Sequence, residues 1–560
     1  MKTIVSDRER RRIVKIKFVG LVLWLVFGLL WGQRVSAANA LVGDGTPASC
    51  SEAAFDSALA AAASGGGVIT FNCGPASATI TFTGSKIVTG GDVTINGNGR
   101  IILDAGNTDR HFFVGNGVTF RLQNITLRGG NSAVGGGAVE ASGANVVLEG
   151  VQLLNNSAST GGGAIYCFDG TLTIANSVLS NNSAGTGGAI FNDGCVVQVT
   201  NSTFDGNRAL DAISRGGAIE NGQPGTLTIT NSLLQNNSAL DGGGLYVASG
   251  ATAILERVSL QTNSGGYGGG LENSGTTTLK NSLVDGNTVT GSGGGLWNLG
   301  GTLIVRQTTV SNNSGYEGGG VNSYGSHLEM TDVNIVDNKA VGGHGGGLYH
   351  SGGTAFVSNA TISGNLATDP AANGGGIFQN SNDNLTLTNA TLANNQAGLL
   401  GGGFYHYGRY AVLTNVTIAN NVAGTAGAAI YEDSPMTPAN PGLVQLINSV
   451  ILGSANNCDG SVFQSLGHNI SSGTCAALND PTDQENYAGD LLLGPLVFNG
   501  GSFAMQTLLP QTGSPLIDAA DTGQCPSVDQ RSAARVGACD IGAAEYGAVV
   551  SRVYLPAVVR

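Results

Sequence analysis

Aromatic residues recur at equivalent positions of a repeated pattern in the second half of the chain. Tyr349, Phe378, Tyr405 and Tyr431 follow one another at intervals of 29, 27 and 26 residues. Aromatic faces stack on sugar rings, so an exposed column of these side chains could follow a glycan chain. Aromatic rings also stack on each other simply to pack a protein, and that interpretation stays open. The equivalent positions of earlier repeats complete the predicted glycan-binding set with Tyr246 and Trp297.

Carboxylates would support a different chemistry, the cleavage of sugars. Such enzymes need paired carboxylates, or calcium-binding aspartates with a basic residue, on one face. Asp205, Asp285 and Asp337 lie at corners of the pattern but not in consecutive repeats. We therefore assign no catalytic residue, metal or cofactor, and expect a protein that is not an enzyme. The rival interpretation is a polysaccharide lyase or glycoside hydrolase whose site assembles from distant repeats.

The elements that position these residues form a repeat of ~26 residues. A glycine pair or triplet followed by an apolar residue recurs from Val139 to Ile430 at spacings of 25 to 29 residues. Alternating segments such as 171–174 follow the glycines, and alternation with a period of two predicts strands. The predicted fold is all-β, a right-handed parallel β-helix with three short strands per turn. Each strand then pairs with its own copy one repeat later.

One asparagine closes each repeat. An asparagine amide can bond the same amide one turn away, and asparagine tolerates a left-handed backbone at a corner. We therefore predict a structural column of stacked asparagines. It comprises Asn156, Asn182, Asn207, Asn237, Asn263, Asn287, Asn313, Asn338, Asn365, Asn395 and Asn421.

The N-terminus and the cysteines indicate export. Basic residues precede an apolar run from Phe18 to Trp31, and small residues follow at 35–40, which is typical of a secretory signal peptide. Eight cysteines in local couples then predict disulfides. The couples are Cys50 with Cys73, Cys167 with Cys195, Cys458 with Cys475, and Cys525 with Cys539.

The charge balance narrows the classes of partner. Residues 1–37 hold eight of the 24 basic and two of the 37 acidic residues, so their removal leaves a net charge of −19. Such an acidic chain disfavours nucleic acid and anionic membrane surfaces. We expect no membrane span in the mature chain and a monomer in solution.

The predicted organisation has five parts. These are a signal peptide (1–37), an N-terminal cap with the first strands (38–90), the β-helix (91–450), a disulfide-bonded C-terminal cap (451–547) and a tail (548–560). The N-terminal cap is expected to start with an amphipathic helix over 51–64. Ser51 is its N-cap residue, and Phe55 and Leu59 share one helical face.

Two resemblances extend this interpretation. The segments GGAIY (162–166), GGAIF (187–191) and FDGN (204–207) resemble the paired GGAI and FxxN repeats of polymorphic outer membrane proteins, which implies a surface-exposed β-helix. The segments LGPL (493–496), NGG (499–501), GSPLID (513–518), DQR (529–531) and CDIGA (539–543) resemble the choice-of-anchor region of the Q type. That region closes many bacterial secreted β-helix proteins, and it implies surface display without implying a reaction.

Together these observations predict an extracellular or cell-surface protein with an adhesive or structural role. Its expected ligand is a polysaccharide or another cell-surface molecule, bound along the aromatic column.

Overall fold

The computed structural model describes residues 38–433, 442–460, 463–475, 478–501 and 503–550. The predicted signal peptide and residues 551–560 of the predicted tail lie outside this part of the chain. Within it, the backbone winds into the predicted right-handed parallel β-helix, and each strand pairs in parallel with its equivalent one turn later. The described residues include no helix long and apolar enough to cross a membrane.

Each complete turn carries four strands, one more than the sequence predicted. We call the surfaces that they form faces 1 to 4, in chain order from the glycines. Face 1 comprises Val139–Ser142, Ile165–Phe168, Ile190–Asp193, Ile219–Asn221, Leu245–Val247, Leu271–Asn273, Leu296–Leu299, Ile430–Glu432, Asn456–Gly460 and Thr474–Cys475. Face 2 comprises Asn145–Glu149, Thr171–Ala175, Val196–Thr200, Thr226–Thr230, Thr252–Glu256, Thr276–Lys280, Leu443–Ile447 and Phe463–Ser465.

The remaining strands complete the coil. Face 3 comprises Gln152–Leu154, Val178–Ser180, Thr203–Asp205, Leu233–Gln235, Ser259–Gln261, Leu283–Asp285, Val450–Leu452 and Ile470–Ser471. Thr302–Ser311 spans faces 2 and 3, whereas Val321–Val336, Leu348–Ser363, Ile377–Ala393 and Phe404–Ala419 span faces 1 to 3. Face 4 is a separate sheet of Asn131–Ser132, Ser157–Ala158, Ser183–Ala184, Arg208–Ala209, Ser238–Asp241, Ser264–Tyr267, Thr288–Val289, Ser314–Gly315, Lys339–Ala340, Leu366–Ala367, Gln396–Ala397 and Val422–Ala423.

The predicted asparagine column forms an unbroken hydrogen-bonded ladder inside the coil. Nδ2 of Asn182 donates to Oδ1 of Asn207 at 2.9 Å and to the carbonyl of Leu153 at 3.0 Å. The backbone N–H of Asn182 donates to the same Oδ1 at 3.0 Å. The ladder continues in this way from Asn156 to Asn421. The left-handed backbone lies one residue earlier, as at Asn181 with φ 54°, so the two roles of asparagine fall on neighbouring positions.

Glycine is required where face 4 packs on the start of the next turn. A Cβ on Gly243 would lie 2.6 Å from the carbonyl oxygens of both Gly269 and Ser264. Gly242, immediately before it, has φ 64°, which few other residues adopt without cost. The repeated glycines therefore allow two backbone segments to approach closely at this corner, because no side chain lies between them.

The N-terminal end is closed as predicted by a helix, α1, at Glu52–Gly65. The Ser51 side chain accepts a hydrogen bond from the backbone N–H of Ala54, and Phe55 and Leu59 are buried. A short 3-10 helix at Pro47–Ser49 precedes α1. The first strands are Ala40–Val42, Gly67–Phe71, Ala78–Thr81, Lys86–Val88, Val93–Asp104, Phe112–Val114 and Thr119–Arg128.

The C-terminal region has two parts, one that continues the coil and one that packs against it. Strands up to Thr474–Cys475 continue the parallel coil past the boundary expected at 450. Residues 491–547 then run back along face 3, where Asn334, Thr361, Thr391 and Thr417 hydrogen-bond to them. This segment holds one short antiparallel pair, Val497–Phe498 with Gln506–Thr507. It therefore covers a flank of the coil.

All eight cysteines form disulfides in the predicted couples. These are Cys50–Cys73, Cys167–Cys195, Cys458–Cys475 and Cys525–Cys539. Cys458 and Cys475 face each other on adjacent turns, so that disulfide joins the last two strands of face 1.

Candidate functional site

The aromatic column on face 1 is continuous, but the prediction that it is exposed was wrong. The ring centroids of Tyr349 and Phe378 lie 5.1 Å apart, those of Phe378 and Tyr405 4.9 Å, and those of Tyr405 and Tyr431 5.7 Å, with planes within 15° of parallel. Tyr349, Phe378 and Tyr405 are 8 %, 6 % and 5 % exposed. Stacking uses both faces of each inner ring, so none is free for a sugar. Of the six predicted glycan contacts, Trp297 and Tyr431 are half-buried, and Tyr246 is buried like the other three.

A second column explains this burial. It consists of the residue immediately before each glycine group, and we call it the pre-glycine column. Its members from the second complete turn onward are Thr186, Arg215, Asp241, Tyr267, Ser292, Glu317, His344, Asn373, Leu400 and Ala426. Parallel bridges join Arg215 to Asp241 and Leu400 to Ala426, and Asp241 pairs with Tyr267. The alternation rule correctly placed the face 1 aromatics outward, but it says nothing about a neighbouring element that folds over them.

Pre-glycine residues contact the outward face 1 residue of the following turn. The Arg215 guanidinium lies 4.9 Å from the ring centroid of Tyr246, and the Tyr267 ring stacks on Trp297 with centroids 4.6 Å apart. The His344 ring stacks on Phe378 at 4.4 Å, and Leu400 packs against the same aromatic cluster. These contacts leave a packed aromatic stack in the later turns and a chemically different surface in the earlier ones.

Carboxyl groups gather at this corner between residues 186 and 272. Thr186 donates a hydrogen bond to Glu220, and Arg215 lies 3.8 Å from the carboxylate of Asp241. Along face 1, Glu220 is opposite Tyr246, which is opposite Glu272, so the two glutamates are two turns, or roughly 10 Å, apart. We call Glu220, Asp241, Glu272 and Arg215 the acidic corner.

Burial shifts the protonation of the acidic corner. It raises the pKa of Glu272 to about 8, with the negative charge of Asp241 adding to the rise and Arg215 opposing it. Burial also raises the pKa of Glu220, against the opposing hydrogen bond from Thr186 and the charge of Arg215. The pKa of Asp241 rises for the same first reason, again opposed by Arg215. Glu272 is therefore largely protonated at neutral pH.

A groove of about 450 Å³ runs across face 4 beside the acidic corner. Its lining residues come from four consecutive strands and their loops: Ala209, Ser238, Ala239, Ser264, Gly265, Thr288, Val289 and Thr290. Asp241 and Tyr267 end two of these strands. Tyr267 is 37 % exposed with its ring against Gly291, and Tyr316, just beyond the next strand, is 49 % exposed with its ring against Gly342. Tyr267 lies beside the groove, since Gly291 follows the lining residue Thr290, whereas Tyr316 lies one turn beyond the last lining strand.

Two repeat positions in the sequence indicate this site, although the sequence analysis did not predict it. Glu220 and Glu272 occupy the same repeat position as the predicted aromatic column, where a role was predicted for the aromatic residues alone. Arg215, Asp241 and Tyr267 all directly precede a glycine group. Neither position reveals that the two columns touch, because that contact depends on how sharply the coil bends at the glycines.

Polar side chains also line the interior behind face 1, where they are structural. Asn192 donates a hydrogen bond to Asn221, and Asn273 donates one to Asn298. The sequence analysis missed these two pairs, which Val247 separates. In later turns the same row holds His350, Gln379 and His406. Burial lowers the pKa of His350 to about 4 and that of His406 to about 3, so both are neutral over most of the pH range.

Comparison with known proteins agrees with this architecture. A family model described as the right handed beta helix region matches residues 217–374 and 270–441. A model of the Chlamydia polymorphic membrane protein repeat matches residues 150–167. The chain is thus a right-handed parallel β-helix in which one segment is similar to the polymorphic membrane protein repeat. No curated protein sequence matches it.

Three solved structures with a similar chain fold are polysaccharide-modifying enzymes. The PL6 family alginate lyase AlyGC shares 12 % identity, with 78 % of this chain and 89 % of that chain covered and a TM-score of 0.24. The A-module of the Azotobacter vinelandii mannuronan C-5 epimerase AlgE6 shares 13 %, with 78 % and 100 % covered and a TM-score of 0.25. The pectate lyase Pel9A shares 12 %, with 88 % and 90 % covered and a TM-score of 0.21. Values this low say nothing about activity.

Proposed function

We propose that the protein is an exported, surface-displayed β-helix that binds a glycan along the groove of face 4 and serves in adhesion. The observation that carries the proposal is the groove of about 450 Å³ with the exposed Tyr267 ring beside it and the Trp297 ring stacked on Tyr267. Exposed aromatic faces next to hydroxyl-bearing side chains suit sugar rings, which present both apolar faces and hydroxyl groups.

Display outside the cell is supported by two further observations. The chain has four disulfides. Disulfides persist in oxidising compartments and are rare in the cytosol. The match at residues 150–167 is to a repeat named for a membrane protein. The resemblance of residues 493–543 to a choice-of-anchor region belongs to the same proposal. Within that region, Arg531 and Asp529 are buried and form an ion pair at 2.7 Å.

The test is glycan binding by matched variants. Purified protein is applied to immobilised neutral, acidic and amino-bearing polysaccharides, and retention is compared for the wild type and the double variant Tyr267→Ala, Trp297→Ala. Loss of the two rings should weaken retention at least about tenfold, since each stacked ring contributes on the order of 1 kcal/mol. Tyr324→Ala is the control, because Tyr324 is 55 % exposed on the opposite end of face 1 from the glycines. Equal retention by all three proteins would remove the groove as the binding site.

Polysaccharide cleavage is the second candidate function, and one observation favours it. A carboxyl group that stays protonated at neutral pH, as Glu272 does, is the requirement for a general acid, and Glu220 offers a second carboxyl two turns away. Both glutamates are buried in this conformation and Tyr246 lies between them. The same polysaccharides, assayed for new reducing ends and for unsaturated ends, test this function. If the wild type cleaves a polysaccharide and Glu272→Gln does not, the protein is an enzyme, and the adhesion proposal is wrong.

A further inference from the structure

The acidic corner has more carboxyl groups than nearby cations. Among the described residues, Glu220, Asp241 and Glu272 share one basic partner, Arg215, whose guanidinium also faces the Tyr246 ring. The negative charge of Asp193 also raises the pKa of Glu220. A site with this balance repels polyanions and favours a ligand that brings positive charge.

Glu272 carries an unmet hydrogen-bonding requirement. Its side chain is 2 % exposed, and its Oε2 has no hydrogen-bond partner among the described residues. A buried carboxyl oxygen without a donor is costly, so such an atom in a native protein calls for an explanation. An ammonium group placed between Asp241 and Glu272 would supply both the missing donor and the missing positive charge.

Aromatic rings stand directly beside this carboxyl. Glu272 is opposite Tyr246 on the preceding turn and opposite Trp297 on the following turn. Trp297 in turn stacks on Tyr267, the residue beside the groove. Aromatic faces attract cations as well as sugar rings, so both parts of an amino sugar find a matching surface within two turns.

We infer that the glycan bound along face 4 bears free amino groups, as in a glucosamine polymer, and that Asp241 and Glu272 bind its ammonium group while Tyr267 and Trp297 bind the sugar. This inference rests on the proposed glycan-binding function and names its substrate class. Asp241 is partly exposed whereas Glu272 is buried, so the ammonium group would meet Asp241 first.

Calorimetric titration with glucosamine hexamer and with its fully N-acetylated counterpart tests the inference. At about pH 5.5, where the amino groups of the hexamer are already protonated, the amino form should bind at least about tenfold more tightly than the acetylated form. Because Glu272 is protonated in the free protein and ionised beside an ammonium group, binding should also release up to one proton. Proton release is measured by repeating the titration in buffers with different ionisation enthalpies.

Variants separate this inference from the proposed function. Glu272→Gln and, independently, Asp241→Asn should reduce the preference for the amino form to less than about threefold. Only Glu272→Gln should also abolish proton release. Glu317→Gln is the matched control, since Glu317 is a pre-glycine carboxyl outside the acidic corner.

Each contrary result has a distinct meaning. Equal affinity for the two hexamers would overturn the inference and leave glycan binding intact. Binding of neither hexamer nor of any immobilised polysaccharide would overturn both. Spermidine serves as a sugar-free amine, and if it bound as tightly as glucosamine hexamer and without dependence on Trp297, a glycan would no longer be the ligand class.

Discussion

At the scale of single residues, the same repeat position serves different purposes in different turns. On the outward side of face 1 it holds Glu220 and Glu272 in the early turns and stacked aromatic rings in the later ones. On the inward side it holds asparagines that bond each other, and then His350, Gln379 and His406. Parallel in-register stacking places equivalent residues beside one another, so a local change of residue type creates a local change of chemistry.

The buried histidines predict acid sensitivity. The folded-state pKa of His350, about 4, lies below the ordinary value of 6.5, so the unfolded chain binds the proton more readily. The stability contributed by the neutral ring is complete above pH 6.5 and is lost as the pH falls towards 4, by on the order of 3 kcal/mol. His350→Gln, which copies Gln379 on the next turn, should flatten the decline of the urea midpoint between pH 6.5 and 4.5.

The reverse substitution is the control for this prediction. Gln379→His adds a buried imidazole at the equivalent position and should steepen the decline over the same pH range. If both variants followed the wild-type curve, the interior histidines would not be responsible for acid sensitivity.

At the scale of the elements, the asparagine ladder holds face 3 to face 4. In Asn237, Nδ2 donates to the carbonyl of Phe204 at 3.1 Å and to Oδ1 of Asn263 at 2.9 Å, and Oδ1 accepts from both nitrogens of Asn207. Every ladder residue is buried, so water cannot replace a missing partner. The strands are too short to be stable without this continuous connection.

Asn237→Ala should therefore destabilise the coil by about 3–5 kcal/mol, since it leaves several buried groups unpaired. Because each turn of a solenoid depends on its neighbours, amide hydrogen exchange should rise first in residues 204–263. Asn236→Gly is the matched control: Asn236 has φ 56° and exposed side-chain bonds, and glycine keeps that backbone conformation. Equal exchange in the two variants would contradict the role of the ladder.

At the scale of the whole molecule, residues 491–547 tie distant turns together. Nε2 of Gln530 donates to the carbonyl of Ala360 at 2.9 Å and to Thr361, and its Oε1 accepts from Thr391 at 2.6 Å. Gln530 is fully buried in this contact. One side chain therefore joins the C-terminal segment to two turns of the coil.

Gln530→Leu should loosen the segment without unfolding the coil. Three polar groups of the coil would each lose one hydrogen bond, and Thr361 would keep its bond to Gln506. The cost of about 2 kcal/mol corresponds to a roughly thirtyfold larger detached population. Limited proteolysis should then cleave within 491–547 sooner, while the circular-dichroism spectrum of the β-helix is retained. Gln524→Leu, on an exposed side chain of the same segment, is the control and should leave the cleavage rate unchanged.

Much of the architecture follows from the sequence for a physical reason. In a parallel coil each residue meets its own equivalent one turn later, so a period visible in the sequence is also a contact in space. The asparagine column, the disulfide couples and the helix behind Ser51 were all predictable in this way, because each involves neighbouring turns or neighbouring residues.

The candidate site and the C-terminal docking were not predictable on these grounds. Whether the pre-glycine residues cover face 1 depends on the bend at glycines such as Gly242 and Gly243, and that bend buried the predicted aromatic column and brought Asp241 to Glu272. The contact of Gln530 with Ala360 joins segments with no shared period. The sequence by itself determined the coil, its period and its ladder, because these repeat; only the tertiary structure decided what lies exposed, since exposure depends on contacts that do not repeat.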